Sequence, residues 1–403
     1  MAVKLVNEST LTSIADAIRE ATGVTSTLAF PQEFIQKINS TSGRYSIDDI
    51  AKGMYSPSIS GSASAINYYA FANTNLSYAE FQNCSLIHEG AFNKCYSLSI
   101  ASFISCSTIE ASAFAYCTKL SSINIPNVSI IHSNAFQGDG SLTYISCPQC
   151  LSIRDNAFNG CTGLSDVYFP SAEYIGSSAF AGCRSLTSVN LPSARLIGSS
   201  AFAGCSNLHH VTIKGDMGIG AYAFSRCSSL QEVTVTQGGA VDEQAFRDCY
   251  NLSKITFGMN CSTIGTQAFY NCSSLLSIDL KDCKTIGQSA FGFCYSLMDI
   301  SASNVKTIFS GAFSNCSALT TLSFPSCSMI YSSAFLSCIN LMSFYLMNST
   351  VATLNDAYAF RYTPMQYSSY TGSFGSIYVP MSLVDSYKSA SRWSSYKDRI
   401  VGI

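Results

Sequence analysis

The sequence predicts an α/β repeat solenoid of about thirteen 22-residue coils. A parallel strand ladder would form one face, short helical or 3-10 turns the other, and helical caps both ends. Three observations lead there. An Ala-Phe pair recurs from Phe71, Phe92 and Phe114 through to Phe335, in thirteen copies whose steps are 22 residues except for one of 21 and one of 23. A leucine follows the phenylalanine by six residues in twelve copies (Leu98, Leu120, Leu142 and onward), and by five in the first, at Leu76. Apolar residues then stand three and five positions beyond the leucine, as in Val189/Leu191, Val211/Ile213 and Val233/Val235. That alternation is the signature of a half-buried strand.

Along the chain, residues 1–43 stand outside the repeat. "ESTLTSIADAIREATG" places Leu11, Ile14, Ala15 and Ile18 at helical spacing, and Pro31 opens a second helical stretch with Phe34, Ile35 and Ile38. This segment is expected to cap, dock or oligomerise. Residues 44–64 form a linker or first capping element, and the solenoid runs over 65–350. Within each unit the strand is often closed by proline (Pro126, Pro170, Pro192, Pro325), where a ladder donor is no longer needed. A turn, a short second segment and a helical turn around "AFxxC" complete the coil. One unit cannot bury its apolar side alone, whereas a stack shares a continuous core. Residues 351–403 hold a degenerate last repeat at Ala359-Phe360 and a capping helix with Ser382 as its N-cap. Leu383, Val384, Tyr387, Trp393 and Tyr396 are placed to cover the open end.

The frame L-x-x-I-x-I-x-x-C-x-x-I and the motif "SAFAGCxSLTSVNLPSxxxIGSSAF" resemble the BspA-like leucine-rich repeats of bacterial surface proteins, from about Ala65 to Leu346. The resemblance implies binding of host matrix proteins or other bacteria. The pattern "TLTSIADAIREATG…FPQEFIQKI" is similar to N-terminal segments of phage tail-associated proteins. Together these lead to the expectation of a phage-associated structural or receptor-binding protein. The alternatives are a bacterial surface adhesin and a self-assembling fibre.

Composition narrows the function. The 403 residues carry a net charge of -2, and only 11% are charged, so no strong field favours nucleic acid or an anionic membrane. Neither a membrane-length apolar run nor an apolar signal region is seen, so a virion, extracellular or cell-surface location is expected without a visible signal or anchor. No nucleophile, P-loop or zincin motif and no recurring carboxylate pair is present, so enzyme chemistry and cofactors are not expected. His88 and His132 share a column with Gly176 and Gly198 and read as exposed turn residues.

Eighteen cysteines invite a chemical reading, but they fall into columns. Eleven stand three residues after the phenylalanine, where two other repeats have Thr74 and Asp139. Six stand eight before it, where others have Val128, Ala172, Ala194 and Val305. The last, Cys147, takes a strand position. Exchange with small apolar residues marks a buried thiol acting as core filler. "CPQC" at Cys147–Cys150 lacks a second pair, so zinc is not expected.

The remaining candidates are the outward strand positions, which vary while the inward columns do not. Tyr144, Asp166, Tyr168, His210, Glu232 and Lys254 are the candidate ligand-binding residues, for a protein or glycan receptor on a cell surface. A homo-oligomer or virion contact through residues 1–43 would be a second kind of partner.

Overall fold

In a computed structural model the chain is a parallel-strand solenoid of about fifteen turns with repeats of about 22 residues and little helix. The structure describes residues 58–258, 261–366 and 374–403. The helices expected within 1–43 and most of the 44–64 element lie outside these residues. Two compact units divide the chain at Leu186/Thr187.

In the first unit, strands such as Tyr78–Phe81, Ile100–Ser102 and Ser122–Asn124 pair in parallel, with residues one repeat apart opposite each other. Tyr144–Ser146 and Asp166–Tyr168 pair in the same way. A second ladder of two-residue strands, from Ala65–Ile66 to Tyr174–Ile175, runs on the other side of the coil. The second unit repeats the plan. Its long ladder begins at Ser188–Leu191 and His210–Ile213, and its short strands include Thr285–Ile286 and Thr307–Ile308.

Between the ladders lies the core. Every phenylalanine of the repeat is at most 2% exposed, and the leucine and short-strand isoleucine columns are buried with it. The rings stack nearly parallel from coil to coil, with centroids 5.0–5.3 Å apart in the first unit. In the second unit the spacing is 5.1–5.6 Å. This matches the separation of paired strands, so one ring per coil fills the interior without a gap.

The segment around "AFxxC" is not the helical turn expected. Its backbone alternates in hand: Ser289 and Phe293 have φ of 51° and 63°, and the same two positions are left-handed in coil after coil. Amides therefore alternate in direction. Phe291 and Phe293 donate to Ala312 and Ser314 of the next coil at 2.7 and 2.8 Å, while Gly292 and Cys294 donate three residues back at 3.0 and 3.2 Å. A helix would spend every amide within one coil. This arrangement spends half of them on the stack, which satisfies the turns and joins neighbours at once.

The C-terminal cap differs in detail from expectation. The helix α1 spans Val384–Ser389 with Leu383 at its N-cap and no side-chain cap bond, so Ser382 does not cap it. A 3-10 helix over Trp393–Arg399 follows, then a strand over Ile400–Gly402 that pairs with Ser376–Val379. Tyr387, Trp393 and Tyr396 are buried, as expected of residues closing a core. Trp393 donates its indole N–H to Ala352 O at 2.7 Å, and Tyr387 Oη accepts the Ala352 amide at 3.0 Å. Tyr396 Oη bonds Ala357 O. These bonds give the last coil the partners that a further coil would supply.

Candidate binding faces and the cysteine columns

Strands of the long ladder alternate buried and outward residues: Asp166 and Tyr168 are exposed on either side of buried Val167. The six candidate residues all point outward, but they fall into two groups of three, one per unit. In the first unit Tyr144 stands opposite Asp166, and Tyr168 opposite Ser146. Both tyrosine rings are about half exposed. Asp166 Oδ1 accepts the Val167 amide at 2.8 Å, which fixes the carboxylate against its own strand. Outward positions nearby add Tyr78, Glu80 and Ile100, with the Tyr78 hydroxyl donating to Glu80 at 2.7 Å. The first unit's outward strand positions hold no Lys or Arg among the described residues, so this face is aromatic and acidic.

In the second unit His210, Glu232 and Lys254 occupy one column on successive strands. Lys254 Nζ meets Glu232 Oε1 at 2.6 Å, and this ammonium holds the Glu232 carboxyl below its ordinary range, with His210 adding a smaller pull in the same direction. These groups are occupied with one another. Beside them Thr212, Thr234 and Thr256 form a second outward row.

His88 and His132 are half-buried rather than exposed. His88 stacks on Tyr68 at 4.4 Å and its Nδ1 lies 3.1 Å from Glu110 Oε2. Among the described residues no group of three or more His, Cys, Asp or Glu is arranged to hold a metal ion.

All eighteen cysteines are buried and none is disulfide-bonded. Their role is more specific than core filling. In the column after phenylalanine, each of ten thiols donates to the carbonyl of the phenylalanine in the preceding coil, at 2.9–3.2 Å. Cys249, for example, bonds Phe224 O at 3.1 Å. Thr74 and Thr363 at this position bond Phe71 O and Phe360 O within their own coils. The column therefore selects a small donor. Its lack of Ala and Val is the sequence signal for this, because those residues appear only in the other cysteine column.

Burial makes the thiols unreactive, apart from Cys95, where burial is outweighed by hydrogen bonds from Cys117 and Thr74 that hold it below its ordinary range. Burial pushes Cys84 and Cys150 up to about 11, and Cys106, Cys261, Cys327 and Cys338 to about 12. Few thiolates form at neutral pH. Thiol-blocking mass spectrometry is expected to find few of the eighteen alkylated in the native protein and nearly all after denaturation without reductant. Finding most of them in disulfides would refute this.

Serine explains the low charge. Ser99, Ser121 and Ser253 donate from their hydroxyls to Ser77 O, Ser99 O and Gln231 O one coil back, at 2.9–3.2 Å. Hydroxyls thus cover the exposed backbone edge that charged side chains would otherwise hydrate.

The match to a family of known proteins agrees with this architecture. The sequence matches the family described as "BspA type Leucine rich repeat region (6 copies)" over residues 25–143, 129–240 and 239–366. No curated protein matches it. Solved structures that resemble the chain include a leucine-rich repeat protein from Bacteroides ovatus ATCC 8483, at 24% identity and TM-score 0.41, covering 64% of this chain and 82% of that one. A leucine rich cell surface protein from Faecalibacterium prausnitzii A2-165 is 21% identical with TM-score 0.36, covering 72% and 86%. An internalin from Listeria monocytogenes str. 4b F2365 is 12% identical with TM-score 0.29, covering 87% and 93%. With the family match extending over most of its length, and with the repeat's phenylalanine, leucine and cysteine columns in the places described, the chain belongs to the BspA-type leucine-rich repeat family.

Proposed function

We propose that the chain is a non-enzymatic recognition protein of the bacterial-surface type, which engages a protein partner through the long ladder of its first unit. The carrying observation is the outward face of Tyr78, Ile100, Tyr144 and Tyr168 with Glu80 and Asp166, where no basic residue offsets the acids. Tyrosine gives large contact area at low entropic cost, and serine and asparagine around it give adaptable hydrogen bonds. The two carboxylates favour a partner with Lys or Arg at the contact. The phage association rested on residues 1–43, which lie outside the described residues, and none of the similar proteins reported above adds to it. The surface-adhesin reading is the one carried forward.

The test is binding of the labelled full chain to immobilised extracellular-matrix proteins and to intact host cells. Tyrosines at the centre of an interface contribute about 2 kcal/mol each. Tyr144→Ala with Tyr168→Ala is therefore expected to weaken binding at least tenfold, with an unchanged circular dichroism spectrum, and binding should fall with added salt. Binding by the double variant equal to that of the parent would remove this face. His210 is left out of the variant because it belongs to the second unit and to the Glu232–Lys254 group.

A further inference from the structure

From Ser228 onward in the second unit, the residue after each cysteine of the phenylalanine column follows a second rhythm. Successive coils carry Ser228, Tyr250, Ser273, Tyr295, Ser317 and Ile339, so a serine alternates with a large apolar side chain. Tyr250, Tyr295 and Ile339 are 44%, 48% and 43% exposed. The serines between them turn back to the backbone: Ser273 Oγ donates to Tyr250 O at 3.2 Å and Ser317 Oγ to Tyr295 O at 3.4 Å. The result is a row of teeth at alternate coils, about 10 Å apart, with gaps whose floors are hydroxyls already bonded. Leu276 and Met298 stand exposed beside it on adjacent coils, with the Met298 amide bonded to Leu276 O at 2.9 Å.

Serine at four positions of this column (Ser206, Ser228, Ser273, Ser317) shows that the fold does not need the large side chains. A further aromatic residue lies on the same ridge, Phe293, at the left-handed position that other coils give to Tyr116, Arg226 and Asn315. The Phe293 ring packs against Tyr295 at 6.0 Å.

We propose that this comb is a self-association surface, on which two copies of the chain pair about a two-fold axis with the teeth of one seated in the gaps of the other. A regular row of teeth and equal gaps is complementary to itself when turned end for end, which is what an isologous contact needs. Charge does not oppose it. Arg247 is held by Asp248 at 3.5 Å and by Gln244 and Gln267 at 3.1 and 2.6 Å, the exposed Arg226 stands only in the outermost coil of the row, and the chain's net charge is only -2. The exposed apolar area amounts to roughly 500 Å² per copy, taking about half of each large side chain. A standard interface buries about 800 Å² per partner, so the dimer is expected to be weak, with Kd of roughly 10–100 µM. The proposal does not rest on the first unit's ladder or on its partner.

Sedimentation velocity on the full chain, from low to high micromolar concentration, tests it. The weight-average mass should rise toward that of a dimer. The variant Tyr250→Ser/Tyr295→Ser/Ile339→Ser should remain monomeric to at least tenfold higher concentration, with an unchanged melting curve, because serine is native to this column. Ser273→Tyr separates a comb from mere stickiness: filling a gap should weaken pairing although it adds apolar surface. A parent that stays monomeric throughout would overturn the proposal. So would a triple variant that associates like the parent, or a Ser273→Tyr variant that associates more strongly.

Discussion

Phe269→Ala should lower stability by about 3–5 kcal/mol, the largest loss expected of any single truncation of a repeat side chain. The ring is fully buried and stacks on Phe246 at 5.2 Å and Phe291 at 5.3 Å, each within 5° of parallel. Truncation removes contacts on both sides and opens a cavity that the coil cannot close. The flanking rings are held by their own backbone bonds, Phe246 to Ala268 at 2.8 Å and Phe291 to Ala312 at 2.7 Å. Because each repeat touches only its neighbours, the damage should stay local. Hydrogen exchange should accelerate most in the coils around Phe246, Phe269 and Phe291. Cys272→Ala in the same coil should cost only about 1 kcal/mol, since it forfeits one thiol bond to Phe246 O and little volume. Urea unfolding of the two variants, with exchange mass spectrometry, gives the ranking. A loss below about 1.5 kcal/mol for Phe269→Ala, or exchange raised evenly along the chain, would show that the ring stack does not hold the solenoid together.

The ring stack was legible in the sequence because it repeats at a fixed step and because phenylalanine there meets only its own copies. Inward and outward strand positions were legible for the same reason: period two alternates Tyr144, Ile145 and Ser146 on the strand as it does in the structure. The turn segment was not, because its form depends on the sign of φ at residues as different as Ser289, Tyr222, Arg226 and Phe293. Glycine at Gly182 and Gly204 hinted at a left-handed residue, yet polar and aromatic residues at the same position hid it. The closing strand Ile400–Gly402 is too short to show any period and stood next to a helical pattern. At the candidate site, the Glu232–Lys254 contact follows from their 22-residue separation, which places them side by side. The division at Leu186/Thr187 leaves no mark on a repeat that is nearly identical on both sides, so the sequence does not show that three of the six candidate residues belong to each unit.

Asp139→Cys should stabilise the protein by about 2–3 kcal/mol at neutral pH. Asp139 occupies the donor column, where eleven other repeats carry cysteine, and its side chain is fully buried with neither carboxylate oxygen hydrogen-bonded. The groups that share its electrostatics are thiols, Cys117 and Cys161 on the flanking coils and Cys95 beyond. Burial therefore drives its carboxyl well above the ordinary range; the nearby Cys117 backbone offsets this only in part, and no cation does. In the unfolded chain the group ionises near pH 4, while the folded protein keeps the proton to higher pH. Between those two values the unfolded state binds fewer protons, so stability falls as pH rises, by about 1.4 kcal/mol per pH unit. The advantage of Asp139→Cys over the parent should thus be small near pH 4 and widen toward neutrality. Asp139→Asn removes the titration and should flatten the profile. It should remain less stable than the cysteine variant, because its amide has two donors to satisfy in a site shaped for one thiol. Denaturant unfolding at several pH values, with exchange followed in the coil around Phe136, measures all three. A gap between parent and cysteine variant that does not change with pH would mean that Asp139 is not a buried neutral acid. A gap that widens as predicted would mark its coil as the one place in the first unit where the repeat's own rule, a small donor after each phenylalanine, is kept at a cost that grows with pH.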